Sequence, residues 1–227
     1  MKKGQSAGFI RGRPFFCSWS GGKDSCLALY HAVMNGGLPK LLFTMLSEDG
    51  HSSRSHGLSR PLLEEQARQL GIPIAFRSAG WDDYESAFAS ALREFQADGI
   101  EVGVFGDIDI GSNRDWCLRM CRGAGIRPYH PLWKRPRREL LREFIQLQFK
   151  ASIVVTNASR LGPQWLGKVI DERTLRDLER SGVDASGELG EYHTVVTGGP
   201  VFKSAIRLEE GEKVFHDGYW FLKIRFD

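Results

Sequence analysis

The chain has 227 residues, 41% of them hydrophobic and 26% charged, enough for one large domain or two small ones, each with its own core. A net charge of +3 and an isoelectric point near 8.7 suit anionic ligands such as nucleotides but fall short of a dedicated nucleic-acid binder. No apolar run approaches the ~20 residues of a membrane span.

The basic N-terminal stretch Met1 to Pro14 has no apolar core of the kind a secretory signal carries. The four cysteines, Cys17, Cys26, Cys117 and Cys121, show no disulfide-framework spacing. A cytoplasmic setting is expected.

Pro14 to Trp19 reads as a strand and Ser25 to Met34 as a helix ending at Asn35-Gly36-Gly37. Lys40 to Leu46 is an apolar strand, followed by the polar loop Ser47 to Gly57. Leu58 to Leu70 is an amphipathic helix with Pro61 in its first turn and Gly71 as its cap. Ile72 to Phe76 is a strand, Asp82 to Gln96 a helix, Glu101 to Phe105 a strand, and Asn113 to Arg122 a helix capped by Gly123. Repeated units of this kind predict an α/β fold, a doubly wound parallel sheet covered on both faces.

The second half changes character. Arg137 to Phe149 and Asp171 to Ser181 read as helices and Ala151 to Thr156 as a buried strand. From His193 onward short strands alternate with turn signals at Gly198-Gly199-Pro200, Glu210-Gly211 and Asp217-Gly218. A boundary near Pro131 divides the α/β domain, 1–131, from a smaller C-terminal α+β domain, 132–227.

Ser20-Gly21-Gly22-Lys23-Asp24-Ser25 lies between the first strand and the first helix. A loop there offers unpaired backbone amides and the positive end of a helix dipole to an anion. Its glycines allow close approach to phosphate oxygens. Lys23 adds charge, Ser20 and Ser25 add hydroxyl donors, and Asp24 orders the loop or helps hold magnesium. The spacing is neither the Walker pattern nor the Rossmann one.

This segment resembles the SGGxDS loop of the PP-loop ATP pyrophosphatases, which include GMP, asparagine, NAD and argininosuccinate synthetases and several tRNA-modifying enzymes. The resemblance implies a HUP-like fold and adenylylation. A substrate oxygen attacks the α-phosphorus of ATP, and the loop holds the leaving pyrophosphate with Mg2+.

Gly187-Glu188-Leu189-Gly190-Glu191-Tyr192-His193-Thr194 opens the final β-rich stretch. On composition alone it divides evenly between a ligand-binding loop and a hydrated turn. Together with the phosphate loop it resembles the diphthine–ammonia ligase family, whose typical segment reads GEGGEYHT; Leu189 departs from it. Agreement extends through Glu64 to Pro73, Pro131-Leu132-Trp133, Trp165-Leu166-Gly167 and Gly199-Pro200-Val201-Phe202, so the resemblance runs from about Phe15 to about Phe202.

For the family the implied reaction converts the carboxylate of diphthine, a modified histidine on elongation factor 2, into an acyl adenylate. Ammonia then displaces AMP. By this resemblance Ser20 to Ser25 hold pyrophosphate, with Lys23 and Asp24 catalytic. Glu188, Gly190, Glu191, Tyr192, His193 and Thr194 line the substrate side. Glu188, Glu191 and His193 are the catalytic candidates there, Glu191 or His193 positioning or deprotonating ammonium. The alternatives are a PP-loop enzyme acting on another acid or on tRNA, and a regulatory module that binds ATP without turnover.

Other positions follow from placement. Gly106-Asp107 ends a strand expected beside the first one, where Asp107 would meet magnesium or the nucleotide. Asn113 and Arg114 start the next helix, where a basic residue would meet a phosphate. Leu46 and His56 border the adenine. Lys134, Arg135, Arg137, Arg138 and Arg142 form a solvated basic face, or a dock for an acidic protein or for RNA phosphates, RNA being disfavoured because no aromatic-interleaved basic surface is visible. Cys117 and Cys121, four apart on a helix, lack a second ligand pair and read as ordinary thiols. No glutaminase unit is visible, so free ammonium, or a partner that supplies it, is the expected nitrogen source. Oligomeric state is open, a homodimer included.

Overall fold

Phe15, Phe16 and Cys17 are fully buried in β1 (Pro14–Ser18), a continuous buried run that a strand covered on both faces requires. The computed structural model describes residues 7–54 and 56–226. Met1 to Ser6 of the basic N-terminal stretch and Ser55 of the polar loop lie outside the described residues.

β1 is the centre of a five-stranded sheet with β2 (Leu38–Leu46), β3 (Ile74–Ser78), β4 (Val102–Val104) and β5 (Arg127–Tyr129). The order is β3-β2-β1-β4-β5 and every pair is parallel. The strand order reverses between β1 and β4, and such a reversal opens a crevice at the carboxyl ends of the strands. The expected doubly wound sheet is present. Its helices are α1 (Lys23–Met34), α2 (Arg60–Leu70), α3 (Tyr84–Ala97) and α4 (Gly111–Gly123).

Aromatic rings fill the core under α3 and α4. Phe16 lies 5.5 Å from Phe95 and 5.8 Å from Phe105, and Phe43 lies 5.0 Å from Phe95 and 5.3 Å from Phe88, centroid to centroid. Leu92 and Cys121 close this cluster. Edge-to-face and tilted pairs of this kind add about 0.5–1.5 kcal/mol each beyond their buried area.

A second sheet is antiparallel, in the order β7-β6-β9-β8. It is built from β6 (Lys150–Asn157), β7 (Tyr192–Gly198), β8 (Leu208–His216) and β9 (Tyr219–Phe226), with α5 (Arg137–Gln146) and α6 (Glu172–Arg180). Asp171 caps α6 by accepting from Thr174 N at 2.7 Å. Asp217 (φ 46°) and Gly218 (φ 82°) make the β8–β9 turn, whose paired left-handed residues match the twist of a tight hairpin.

Four local expectations need correction. β5 is an additional strand: three residues containing Pro128 give too little pattern to detect, and a proline is tolerated because the strand is at the sheet edge. α4 runs through Gly123, and the left-handed turn comes at Gly125 (φ 71°). α5 stops at Gln146, before the left-handed Gln148 (φ 61°), so Phe149 is not helical. Glu210-Gly211 is not a turn but a register irregularity inside β8, where a Cβ on Gly211 would stand 2.9 Å from Lys223 O.

The described chain divides into two compact units. The first holds residues 7–20, 24–54 and 72–135. The second holds 21–23, 56–71 and 136–226, so Gly21, Gly22, Lys23 and helix α2 belong with the antiparallel sheet.

Candidate active site

In the first unit the carboxyl end of β1 leads to Ser20, whose Oγ is 3.1 Å from Ser25 Oγ. Trp19, before it, is tied to β2: its amide donates to Phe43 O at 2.8 Å, and its carbonyl accepts from Thr44 Oγ1 at 2.5 Å. Gly106, just past β4, packs on the start of α1. A Cβ there would stand 2.9 Å from Asp24 C and 3.0 Å from Ser25 N. Gly106 is therefore where β4 and the phosphate loop meet, and any side chain would push them apart.

Asp107 points elsewhere. Its Oδ2 accepts from Cys117 Sγ at 3.6 Å and lies 3.4 Å from His130 Nε2. The second distance is an ion-pair separation without hydrogen-bond geometry, since Nε2 has no hydrogen-bond partner. Burial, and then the neighbouring Asp107 carboxylate, push the Cys117 thiol up and keep it protonated. Leu46 is buried at the end of β2 and bridges to Ser53. Arg114 lies with its guanidinium carbon 4.7 Å from the Trp133 ring centre.

In the second unit the middle of the phosphate loop is fastened to β7. Gly21 O accepts from Val196 N at 2.9 Å and from Gln66 Nε2 at 3.0 Å. Gln66, fully buried on α2, also donates to Val196 O at 2.7 Å. Lys23 N donates to Thr194 Oγ1 at 3.1 Å, and Thr194 O meets His56 Nδ1 at 2.8 Å. A carbonyl only accepts, so the His56 Nδ1 carries a proton and donates it to Thr194 O. Gly22 faces that ring: a Cβ would stand 2.8 Å from His56 Nδ1 and 3.1 Å from Thr194 O. The two motifs of the sequence are thus one hydrogen-bonded assembly.

Side chains of the Gly187–Thr194 loop differ in what holds them. Glu191 is buried, and its carboxylate accepts from Leu189 N at 3.0 Å and from Asp184 N at 3.4 Å. Tyr192 is buried and donates to Ala185 O at 2.6 Å, while Lys23 Nζ stands 5.4 Å from its ring centre. Gly190 takes φ 80°, a left-handed turn that favours glycine. Glu188 is half-buried, and its amide donates to Asp184 Oδ2 at 3.2 Å. Asp184 is the hub: it also accepts from Ser186 N at 3.1 Å and pairs with Arg137 at 2.6 Å.

These contacts make Glu191 a positioning residue. Glu191→Gln replaces one acceptor oxygen with an NH2 that faces a donor. We expect about 1–2 kcal/mol lost from folding stability, read by denaturant unfolding. Unchanged stability would mean that the carboxylate is not holding the loop.

His193 is half-buried, its ring centroid 4.7 Å from that of His56. Burial, then the His56 and Lys23 charges, lower its pKa to about 3. It is neutral at physiological pH and a weak base, which argues against the general-base role. The unfolded chain binds a proton at His193 near pH 6.5, whereas the folded chain resists it. Stability is therefore insensitive to this group above about pH 6.5 and falls as pH drops toward 3, by up to ~1.4 kcal/mol per unit. His193→Gln should flatten that slope in unfolding titrations between pH 7 and 5. An unchanged slope would place the proton uptake elsewhere.

Gln66 holds the phosphate loop and Asp184 the Gly187–Thr194 loop, and neither was singled out by the sequence. Gln66 sits inside the family-like segment Glu64 to Pro73, but only its distant partners reveal its task. The basic stretch is largely paired within each unit. Arg137 and Arg138 meet Asp184 and Glu179, while Arg135 lies 3.2 Å from His31.

A glycine-rich loop between β1 and α1, at the strand-order reversal of a parallel sheet, defines a PP-loop-type α/β nucleotide-binding protein. The chain belongs to the diphthamide synthase family: the family's N-terminal domain matches residues 15–128 and its C-terminal domain residues 136–226. The diphthine–ammonia ligase of Homo sapiens is 26% identical over 235 residues, covering 91% of this chain and 87% of that protein. The diphthine–ammonia ligase of Bos taurus is 27% identical over 236 residues, with the same coverage of 91% and 87%. A solved structure, the predicted subunit of tRNA methyltransferase from Methanocaldococcus jannaschii, covers 83% of this chain and 98% of its own at 17% identity and a TM-score of 0.44.

Proposed function

We propose that this chain is an ATP-dependent amide ligase that adenylylates the carboxylate of diphthine and transfers ammonia to it. The observation that carries the reading is the joining of Gly21-Gly22-Lys23 to β7, where the Glu188–Thr194 segment ends, by the Lys23–Thr194 bond and by the Gln66 bonds to Gly21 and Val196. A phosphate-binding loop is thereby coupled to a loop rich in acid and imidazole groups. Family membership and the diphthine–ammonia ligase relatives supply the substrate.

A substrate carboxylate oxygen attacks the α-phosphorus, and the bond from that phosphorus to the bridging oxygen breaks, releasing pyrophosphate. The backbone amides at the start of α1 and the Lys23 ammonium hold the negative charge that develops there. Ammonia then attacks the acyl carbon, loses a proton, and AMP leaves with both electrons of the broken acyl–oxygen bond.

Of the three candidate bases, Glu191 is bonded to backbone amides and His193 is held neutral with little proton affinity. The general-base role is therefore assigned to Glu188. Mg2+ would travel with the ATP phosphates and neutralise them. We assign its protein contact to Asp24, because the carboxylate, thiol and imidazole around Asp107 are not the all-oxygen set Mg2+ takes. Residues 1–131 are proposed as the nucleotide side and 132–227 as the substrate side, in a cytoplasmic protein.

Incubation with ATP, ammonium and diphthine-bearing elongation factor 2 should convert the diphthine carboxylate to its amide, read by peptide mass spectrometry. Glu188→Gln should lower amide yield by about 100-fold with ATP affinity retained. Full activity in Glu188→Gln would remove the base assignment. Failure of any diphthine conversion, with ATP still cleaved, would send the search to another acid or to tRNA.

A further inference from the structure

Asp107, Cys117 and His130 bring a carboxylate oxygen, a sulfur and an imidazole nitrogen within 4.8 Å of one another. They come from three places in the first unit: the loop after β4, helix α4, and the residue after β5. The His130 side chain is 4% exposed, and its Nε2 is buried without a hydrogen-bond partner while lying 3.4 Å from Asp107 Oδ2. Phe105 stacks on the imidazole at 5.3 Å and fixes its plane. A buried polar nitrogen without a hydrogen-bond partner is costly, and a native structure retains one for a reason.

The spacing supplies the reason. Around a tetrahedral ion with bonds of ~2.0–2.1 Å to nitrogen and oxygen and ~2.3 Å to sulfur, the donor atoms stand ~3.3 Å (O to N) and ~3.6 Å (S to O) apart. The observed separations are 3.4 Å and 3.6 Å. Both separations from the carboxylate oxygen match those around the ion, and the sulfur and nitrogen lie within 4.8 Å of each other.

We propose that Asp107, Cys117 and His130 form a binding site for a thiolate-preferring divalent transition metal of the zinc class, tying the ends of β4 and β5 to α4. Sulfur and imidazole select such an ion over magnesium or calcium. Three protein donors leave a fourth tetrahedral position for water. Binding replaces the Cys117 S–H bond by a sulfur–metal bond, and the proton leaves to the buffer. Cys121, one turn further on α4, is fully buried and is not among the three converging donor groups.

Sequence inspection pairs Cys117 with Cys121 and finds no further ligands. The partners of Cys117 come from strand ends 10 and 13 residues away in opposite directions along the chain, as the positions of Asp107 and His130 show. Only the sheet order brings them together.

The test uses the full chain without an affinity tag, treated with chelator and titrated with Co2+. The wild type should bind one equivalent with a thiolate-to-cobalt charge-transfer band and tetrahedral d–d bands, and Zn2+ should displace it. X-ray absorption of the zinc form should show one sulfur among nitrogen and oxygen neighbours. That readout does not depend on any variant folding. Cys117→Ser should abolish the charge-transfer band, His130→Ala should weaken binding by about 100-fold, and Cys121→Ser should leave both unchanged. Absence of a cobalt–thiolate band in the wild type would overturn the proposal. So would a band that survives Cys117→Ser, or a zinc shell without sulfur.

Discussion

Gly22→Ala is expected to lower ATP turnover by roughly 100-fold, the cost of displacing a catalytic loop by about an ångström. The added methyl would stand 2.8 Å from His56 Nδ1 and 3.1 Å from Thr194 O. Neither neighbour yields easily. The His56 ring is held by its bond to Thr194 O at 2.8 Å, and Thr194 belongs to β7. The strain passes into the loop, which moves Lys23 and the amides at the start of α1. The clash has an identifiable second half, so it can be relieved. His56→Ala removes the ring, and Gly22→Ala/His56→Ala should recover at least about tenfold over Gly22→Ala alone, a coupling of ~1.4 kcal/mol in a double-mutant cycle. Additive losses would show that the ring is not what the methyl meets.

Gln66→Leu is the second large effect. The side-chain amide donates to both Gly21 O and Val196 O from a site with no solvent access. Leucine has similar volume but no donor. Gly21 O keeps its bond from Val196 N, whereas Val196 O loses the one Gln66 supplied. A buried carbonyl deprived of its donor costs about 1–3 kcal/mol. Unfolding in urea should show that loss. ATP turnover should fall as well, because Gln66 is what fastens the phosphate loop to β7 from the α2 side. Loss of stability with ATP turnover unchanged would mean that the loop holds its geometry without α2.

Much of the fold was legible because the relevant signals are local. The apolar run Phe15 to Cys17, the proline and glycine that bracket α2, and the glycines between β1 and α1 act within a few residues of themselves. The phosphate loop is recognisable for the same reason. β5 escaped because three residues at a sheet edge, one of them proline, carry no period. Glu210-Gly211 looked like a turn because glycine serves a bulge as well as it serves a turn.

The site was legible as two motifs but not as one assembly. Lys23 and Thr194 are 171 residues apart, and Gln66 and Val196 are 130 apart. No local pattern announces such pairs. Composition also cannot separate working polar groups from holding ones. Glu188 and Glu191 are the same residue type three positions apart, yet the Glu191 carboxylate is bonded to backbone amides inside the loop. Tyr192 looked like a substrate contact and is bonded to Ala185 O. Asp107 looked like a magnesium ligand and stands beside a thiol and an imidazole.

The proposed reaction splits ATP between the α- and β-phosphorus to activate a carboxylate. The most direct measurement follows ATP, magnesium and ammonium by phosphorus NMR, with and without diphthine-bearing elongation factor 2. AMP and pyrophosphate, formed in equal amounts and only with that substrate, are the predicted result. ADP and inorganic phosphate, or bound ATP that is never cleaved, would contradict it.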